Sequence, residues 1–205
     1  MQTHNYLTIN KRTGIILMAI ALAIAAMFFS ITAHASSNSK NKKAHKVYDE
    51  KLQEIEYVER YEYEDVTWDG VDEALIESRN PEGGSGRIFR VYTYKNGKAK
   101  CILKDPEYGL DKITAYKKKK SLITYGAGHG GEWYGYYRYK SGRFKYIAAK
   151  SRTSTNGGGD YDGEWEYSDN HKEISKSKFN KLTSKLKKGK KRRVYLKDVD
   201  YDYDY

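Results

Sequence analysis

The sequence predicts an α+β fold: a curved antiparallel meander sheet of hairpins with one helix near each end. Three observations carry that prediction. The middle of the chain alternates apolar and polar residues in short runs, and a period of two is the strand signature. The runs are joined by Asn96-Gly97, Lys117 to Lys120 and Ser141-Gly142, connections too short to reach a parallel neighbour. Apolar residues recur at helical spacing only near the two ends.

Taken in order, residues 36–45 (SSNSKNKKAH) are small and polar and read as a flexible tether. Tyr48, Leu52 and Ile55 then repeat at helical spacing, which predicts a helix over about 45–58. Tyr61-Glu62-Tyr63-Glu64 drops to a period of two, a short strand, and Ala74-Leu75-Ile76 makes another after an acidic loop. Residues 78–86 hold Pro81 and three glycines and read as a loop. Arg87 to Tyr94 alternates Phe89, Val91 and Thr93 against Ile88, Arg90, Tyr92 and Tyr94. Asn96-Gly97, suited to a type I′ turn, returns the chain along about 98–103. A second hairpin joins Ile113–Tyr116 to Leu122–Tyr125, and a third joins Tyr134–Tyr139 to Phe144–Ala148. Residues 151–163 are a predicted loop, and Glu164 to Tyr167 a short strand. The count comes to about six to eight strands.

The second helix is predicted over about 176–188. Ser175 is placed to cap it, Ile174 and Phe179 to form a hydrophobic staple, and Gly189 to stand beyond its end. Val194 to Leu196 suggests an edge strand. The resulting division is a leader over 1–35, a tether over 36–45, one domain over 46–197 and an acidic Tyr-rich tail over 198–205.

Lys11 and Arg12 precede an uncharged run from Gly14 to Ile31, followed by Ala33-His34-Ala35. That order is the pattern of a secretory signal peptide, so the expectation is a protein secreted outside the cell with no membrane segment after cleavage. The rival expectation is an uncleaved anchor, since the run reaches the lower limit of about 17 residues for a spanning helix. Cys101 is the single cysteine, so no disulfide forms within the chain.

The formal net charge is +11, unevenly spread. Residues 46–82 hold 13 acidic and 4 basic residues, whereas residues 83–156 hold 4 acidic and 17 basic. The two stretches either complement each other within the fold or make a bipolar surface. Export argues against nucleic acid as the partner of the basic part. It favours an anionic wall polymer, an acidic glycan or a secreted protein.

Asp65, Thr67, Asp69, Val71 and Glu73 lie in the stretch Asp-Val-Thr-Trp-Asp-Gly-Val-Asp-Glu. Side-chain oxygens at positions 1, 3 and 5, glycine at 6, a backbone carbonyl at 7 and a carboxylate at 9 are the spacing with which a loop wraps Ca²⁺. A short strand, this loop and a second short strand resemble the calcium loop of FG-GAP and VCBS-type repeats. The wider pattern of Lys-Asn-Gly turns, a Gly-rich stretch before aromatics and a closing Lys-rich helix resembles small exported bacterial proteins that carry one such loop. The resemblance implies a surface-adhesion or carbohydrate-associated protein with a calcium cofactor. Thr67 departs from the Asp or Asn of the pattern and supplies only a neutral hydroxyl. Affinity is then expected to be weak, on the order of 10⁻⁴–10⁻³ M. The alternative is an ordinary Asp-Gly turn whose carboxylates pair with the basic half. A similar stretch at Asp160 to Glu166 has Gly158 at its first position and lacks a ligand there.

Residues 126–133 form a Gly-rich loop before an aromatic strand. His129 and Glu132 are candidate polar groups there, with Trp133, Tyr134, Tyr136 and Tyr137 as a stacking floor for a sugar or polymer. The alternative is a bulged turn with these rings in the core. No catalytic motif stands out, and no catalytic residue is assigned. The leading expectation is an exported binding or interaction module. A hydrolase of extracellular polymers using His129 and Glu132, and a secreted inhibitor of another protein, remain as alternatives.

Overall fold

The computed structural model describes residues 38–83, 86–107, 109–128, 130–155, 161–170 and 172–199. The chain divides into two compact units, 1–40 and 41–205. Of the first unit only residues 38–40 are described, and they are helical.

Two helices and twelve strands make up the described residues. Helix α1 spans 38–54. The strands β1 (Val58–Glu64), β2 (Glu73–Arg79), β3 (Arg87–Lys95) and β4 (Lys98–Glu107) follow. Next come β5 (Lys112–Tyr116), β6 (Ser121–Gly128), β7 (Gly131–Lys140), β8 (Arg143–Thr153), β9 (Glu166–Asp169) and β10 (Lys172–Glu173). Helix α2 (Lys176–Thr183) precedes β11 (Lys191–Val194) and β12 (Lys197–Asp198). The fold class is α+β with antiparallel sheets, as the periodicity predicts. Helix α1 starts earlier than expected. Residues 38–44 are helical and not a tether, and Ala44 is buried against the sheet.

The expected single sheet is two sheets. Five strands run in the order β12-β1-β2-β3-β4, and seven in the order β10-β9-β8-β7-β6-β5-β11. Every pairing is antiparallel. Sequential hairpins reveal that neighbours pair, but not where a connection leaves the sheet. The break falls after β4, where Leu110 is buried and its N–H donates to the Glu77 carboxylate at 3.0 Å. The chain breaks again at Tyr195–Leu196, so β11 extends the second sheet and β12 the first. The residues expected as one edge strand are therefore largely the passage between two edges.

Three buried clusters follow from strand alternation, which sends successive side chains to opposite faces. Leu75, Phe89 and Val91 of the first sheet meet Ile113, Leu122 and Tyr137 of the second. On the first sheet's outer face Ala74, Ile76 and Tyr92 pack with Ala44 and Tyr48 of α1. On the second sheet's outer face Ile123, Tyr136 and Ala148 pack with Phe179 of α2 and with Leu186. Each sheet is thus partly roofed by one helix. Ser175 caps α2 by accepting from Lys178 N, as its sequence position predicts. The helix stops at Thr183, short of the expected 188, and Leu186 N turns back to Thr183 O. That turn leaves the outer face of the second sheet open on the far side of Lys187.

At the predicted hairpin tip Asn96 (φ 52°) and Gly97 (φ 77°) are both left-handed, as a type I′ turn requires. The free edge of the first sheet, β4, is interrupted by a bulge opposite Val91–Tyr92. It carries Lys98, Lys100 and Lys104. Bulges and lysines are features that protect an edge from pairing with another chain.

Candidate functional site

The outer face of the seven-stranded sheet carries a row of rings and cations in register. Lys112 on β5 lies opposite Tyr125 on β6, Tyr125 opposite Tyr134 on β7, Tyr134 opposite Lys150 on β8, and Lys150 opposite Tyr167 on β9. Antiparallel pairing brings side chains directly opposite one another into contact. The Tyr125 and Tyr134 rings are 4.8 Å apart. Lys112 Nζ stands 5.2 Å from the Tyr125 ring, and Lys150 Nζ 4.3 Å from the Tyr134 ring. Trp165, from the segment before β9, lies across the row: Lys150 Nζ is 3.4 Å and the Arg152 guanidinium 4.7 Å from its ring. Lys187, from the turn after α2, lies 5.4 Å from the Tyr136 ring. Lys191 and Arg193 of β11 complete a groove of about 170 Å³ against this face.

Lys112, Lys150 and Lys187 are held by rings and not by carboxylates. Among the described residues, no carboxylate lies within ion-pair distance of Lys112, Lys150, Lys187, Lys191 or Arg193. Burial, and next the Lys187 charge, lower the pKa of Lys150; Arg152 adds to that and Glu132 opposes it. The Tyr125 and Tyr134 phenols are pushed up by burial and then by the Glu132 charge. The site is thus a concentration of positive charge on a half-buried, aromatic bed. Each cation–π contact contributes about 0.5–2 kcal/mol, depending on how far it is desolvated.

Glu132 is the acid of this region. Only 6 % exposed, it pairs with Arg152, whose guanidinium lies on Trp165. Its charge also acts on the Tyr125 phenol. Its place is to position two members of the row. Trp133 falls on the opposite face of β7 from Tyr134 and walls a cavity of about 310 Å³ beside Arg152. Tyr136 is 1 % exposed under α2, its ring 5.3 Å edge-on from Phe179, and Tyr137 is 1 % exposed between the sheets. The four rings expected as one stacking floor are therefore divided among a groove, a cavity wall and two cores. Alternation alone separates Trp133 and Tyr137 from Tyr134 and Tyr136. Tyr136 offers no surface and is corrected to a core residue. His129 lies outside the described residues.

The predicted calcium loop is organised differently from a cation cage. Asp65 accepts from Asp69 N (3.2 Å) and Gly70 N (3.0 Å), and Asp69 accepts from Val71 N (3.0 Å). Glu73 points inward from β2 and is fully buried. Its carboxylate accepts from Val66 N and Thr67 N, each at 3.0 Å, and from the Thr67 and Thr93 hydroxyls. Burial pushes its pKa up to about 8, against the Thr67 N–H and with the Asp69 and Asp65 charges. Arg192 binds the Asp65 carbonyl at 2.7 Å, pairs with Glu64 and lies 4.9 Å from the Trp68 ring. Among the described residues no three carboxylate, histidine or cysteine groups gather to hold a metal. With Glu73 turned into the core and a guanidinium at the loop's mouth, these donors do not fit Ca²⁺. The loop is an Asp-Gly turn fastened to the second sheet through the Asp65 carbonyl; its Asp65, Asp69 and Glu73 carboxylates bond within the first sheet's loop and strands and not to the basic half.

Sequence reasoning offered the Lys and Arg residues of 185–193, Lys187 among them, as a candidate polyanion site, but missed Lys112, Tyr125, Lys150, Arg152 and Trp165. Except for Lys150 and Arg152, both on β8, they lie in different runs, and only the strand register brings them together. Comparison of the chain with family models, with curated proteins and with solved structures finds no match.

Proposed function

We propose that this protein is an exported binding module that holds an anionic polymer along the outer face of the seven-stranded sheet. The observation that carries the reading is the row of cations bedded on aromatic rings without carboxylate partners among the described residues. A cation with an internal partner is neutralised in the fold, whereas Lys112, Lys150 and Lys187 have their charge left to spend on a ligand. Adjacent strands are about 4.8 Å apart, so Lys112 and Lys150 are separated by about 14 Å across the sheet. A linear polyanion laid across the strands meets successive positive charges over that span.

The wall polymer or acidic glycan expected from the basic composition fits this face, and export over residues 1–35 places such polymers within reach. Calcium forms no part of the reading. The test is retention of the full chain on immobilised polygalacturonate across a salt gradient. Exposed charges are screened over about 10 Å at 0.1 M salt, so retention is expected to fall with salt. It is also expected to be lost in Lys150→Glu combined with Lys187→Glu. Salt-independent retention, or an unaffected double variant, contradicts the proposal.

A further inference from the structure

Resting on that reading, the geometry points to an acidic polysaccharide as the polymer, with one of its sugar rings seated in the cavity beside Arg152. The cation row by itself accepts any polyanion. Two features of the face narrow the choice.

The first is that the rings of the row already carry cations on their faces. Lys112 sits on Tyr125, Lys150 on both Tyr134 and Trp165, and Arg152 on Trp165. Those rings bed cations and do not stack on sugars, so a neutral glycan gains little there and the row reads charge.

The second is a cavity at the end of β7 and β8 beside the row, lined from both faces of the sheet. Arg152 belongs to both: its guanidinium lies on Trp165, and it lines the cavity of about 310 Å³ with Glu132, Trp133, Ser151 and Thr153. Gly128 also lines it, and no atom lies within 4 Å of where a Cβ would stand there. An indole wall, two small hydroxyl side chains and a planar guanidinium–carboxylate pair at one margin suit a pyranose ring. Such a ring has an apolar face and an equatorial belt of hydroxyls. A carboxylate on the neighbouring sugar would then reach Lys150. A phosphate chain carries the charge but has no ring for the cavity.

The experiment measures binding of the full chain to polygalacturonate, to linear inorganic polyphosphate and to a neutral glucan at one ionic strength. Thr153 is exposed, so Thr153→Phe fills the cavity from its rim with little risk to the fold, and Thr153→Ser leaves it open with its hydroxyl in place. The wild type is expected to bind polygalacturonate about tenfold more tightly than polyphosphate, the size of one well-filled contact, and the glucan not at all. Thr153→Phe is expected to erase that preference while leaving polyphosphate binding unchanged, and Thr153→Ser, which keeps the hydroxyl, to retain it. Ser151→Leu, two residues along the same face of β8, should act as Thr153→Phe does. Equal or tighter binding of polyphosphate by the wild type overturns the inference, as does a preference that survives both cavity-filling variants. In either case binding that still depends on Lys150 leaves the polyanion site standing. If neither polymer binds, the site and the inference fall together.

Discussion

The two sheets of this protein treat charge in opposite ways. The first two strands of the five-stranded sheet come from the acidic stretch of the chain, and most of their carboxylates are matched within the fold. Glu59 is bridged by Arg79 and Arg87, Glu62 by Lys197, Glu64 by Arg192 and Glu77 by Arg60. Burial alone would raise the pKa of Glu59, and its two arginines hold it low instead. The seven-stranded sheet takes β5 to β8 from the basic stretch, and on its outer face Lys112, Lys150 and Lys187 rest on tyrosine and tryptophan. A run of like charge in a sequence therefore has two fates. Pairing makes it part of the scaffold, and bedding on rings keeps it available to a ligand.

The sharpest way to break this contrast is to remove a counter-charge from the first sheet. Glu77 is fully buried and accepts from Arg60 Nε at 2.7 Å. Arg60→Met leaves that carboxylate buried without its partner, and the expected loss is about 3–5 kcal/mol in urea unfolding. A loss under about 1 kcal/mol would show that the pair is not part of the scaffold.

Next in size is the pH response of Glu73. Its folded pKa of about 8 lies above the ordinary 4.5, so the folded state binds the proton more tightly than the unfolded state. Its stabilising contribution is full below about pH 4.5 and is lost as the pH rises toward 8. The melting temperature should fall over that window. Glu73→Gln keeps an acceptor for Val66 N and Thr67 N and offers donors to the two threonine hydroxyls, so it should flatten the fall. A variant that melts with the wild type's pH profile contradicts this account of the loop. Millimolar calcium against chelator should leave the wild-type melting temperature unchanged, and a clear rise would restore the cation cage.

On the second sheet the expectation is reversed. Lys150→Glu should weaken polyanion binding about tenfold or more while barely changing the melting temperature. A binding loss matched by unfolding would make Lys150 a scaffold residue after all. The smallest effect is expected at Lys51–Glu54, an exposed pair within α1. Glu54→Gln should cost no more than about 0.5 kcal/mol, which a paired chemical melt can resolve.

Much of the fold was legible from periodicity. The hairpins at Asn96-Gly97 and Ser141-Gly142, the cap at Ser175 and the helix at each end all appear where local chemistry puts them. The split into two sheets did not, because it depends on Leu110 being drawn to a buried Glu77, a contact between residues far apart in sequence. Glu73 was misread for a related reason. Its spacing from Asp65 matches a cation loop, but its place on β2 turns it toward the core. The polyanion site was legible only as composition. Lys112, Tyr125, Tyr134 and Lys150 come from four strands, and no single run of sequence holds more than one of them. The register that aligns them is a property of the sheet.

The most direct test of the central claim is an NMR titration of the isotope-labelled full chain with polygalacturonate at low salt. The account predicts that amide shifts cluster at Lys112, Tyr134, Lys150, Arg152 and Trp165 and vanish as salt is raised. Shifts confined to the five-stranded sheet, or none at all, would contradict it.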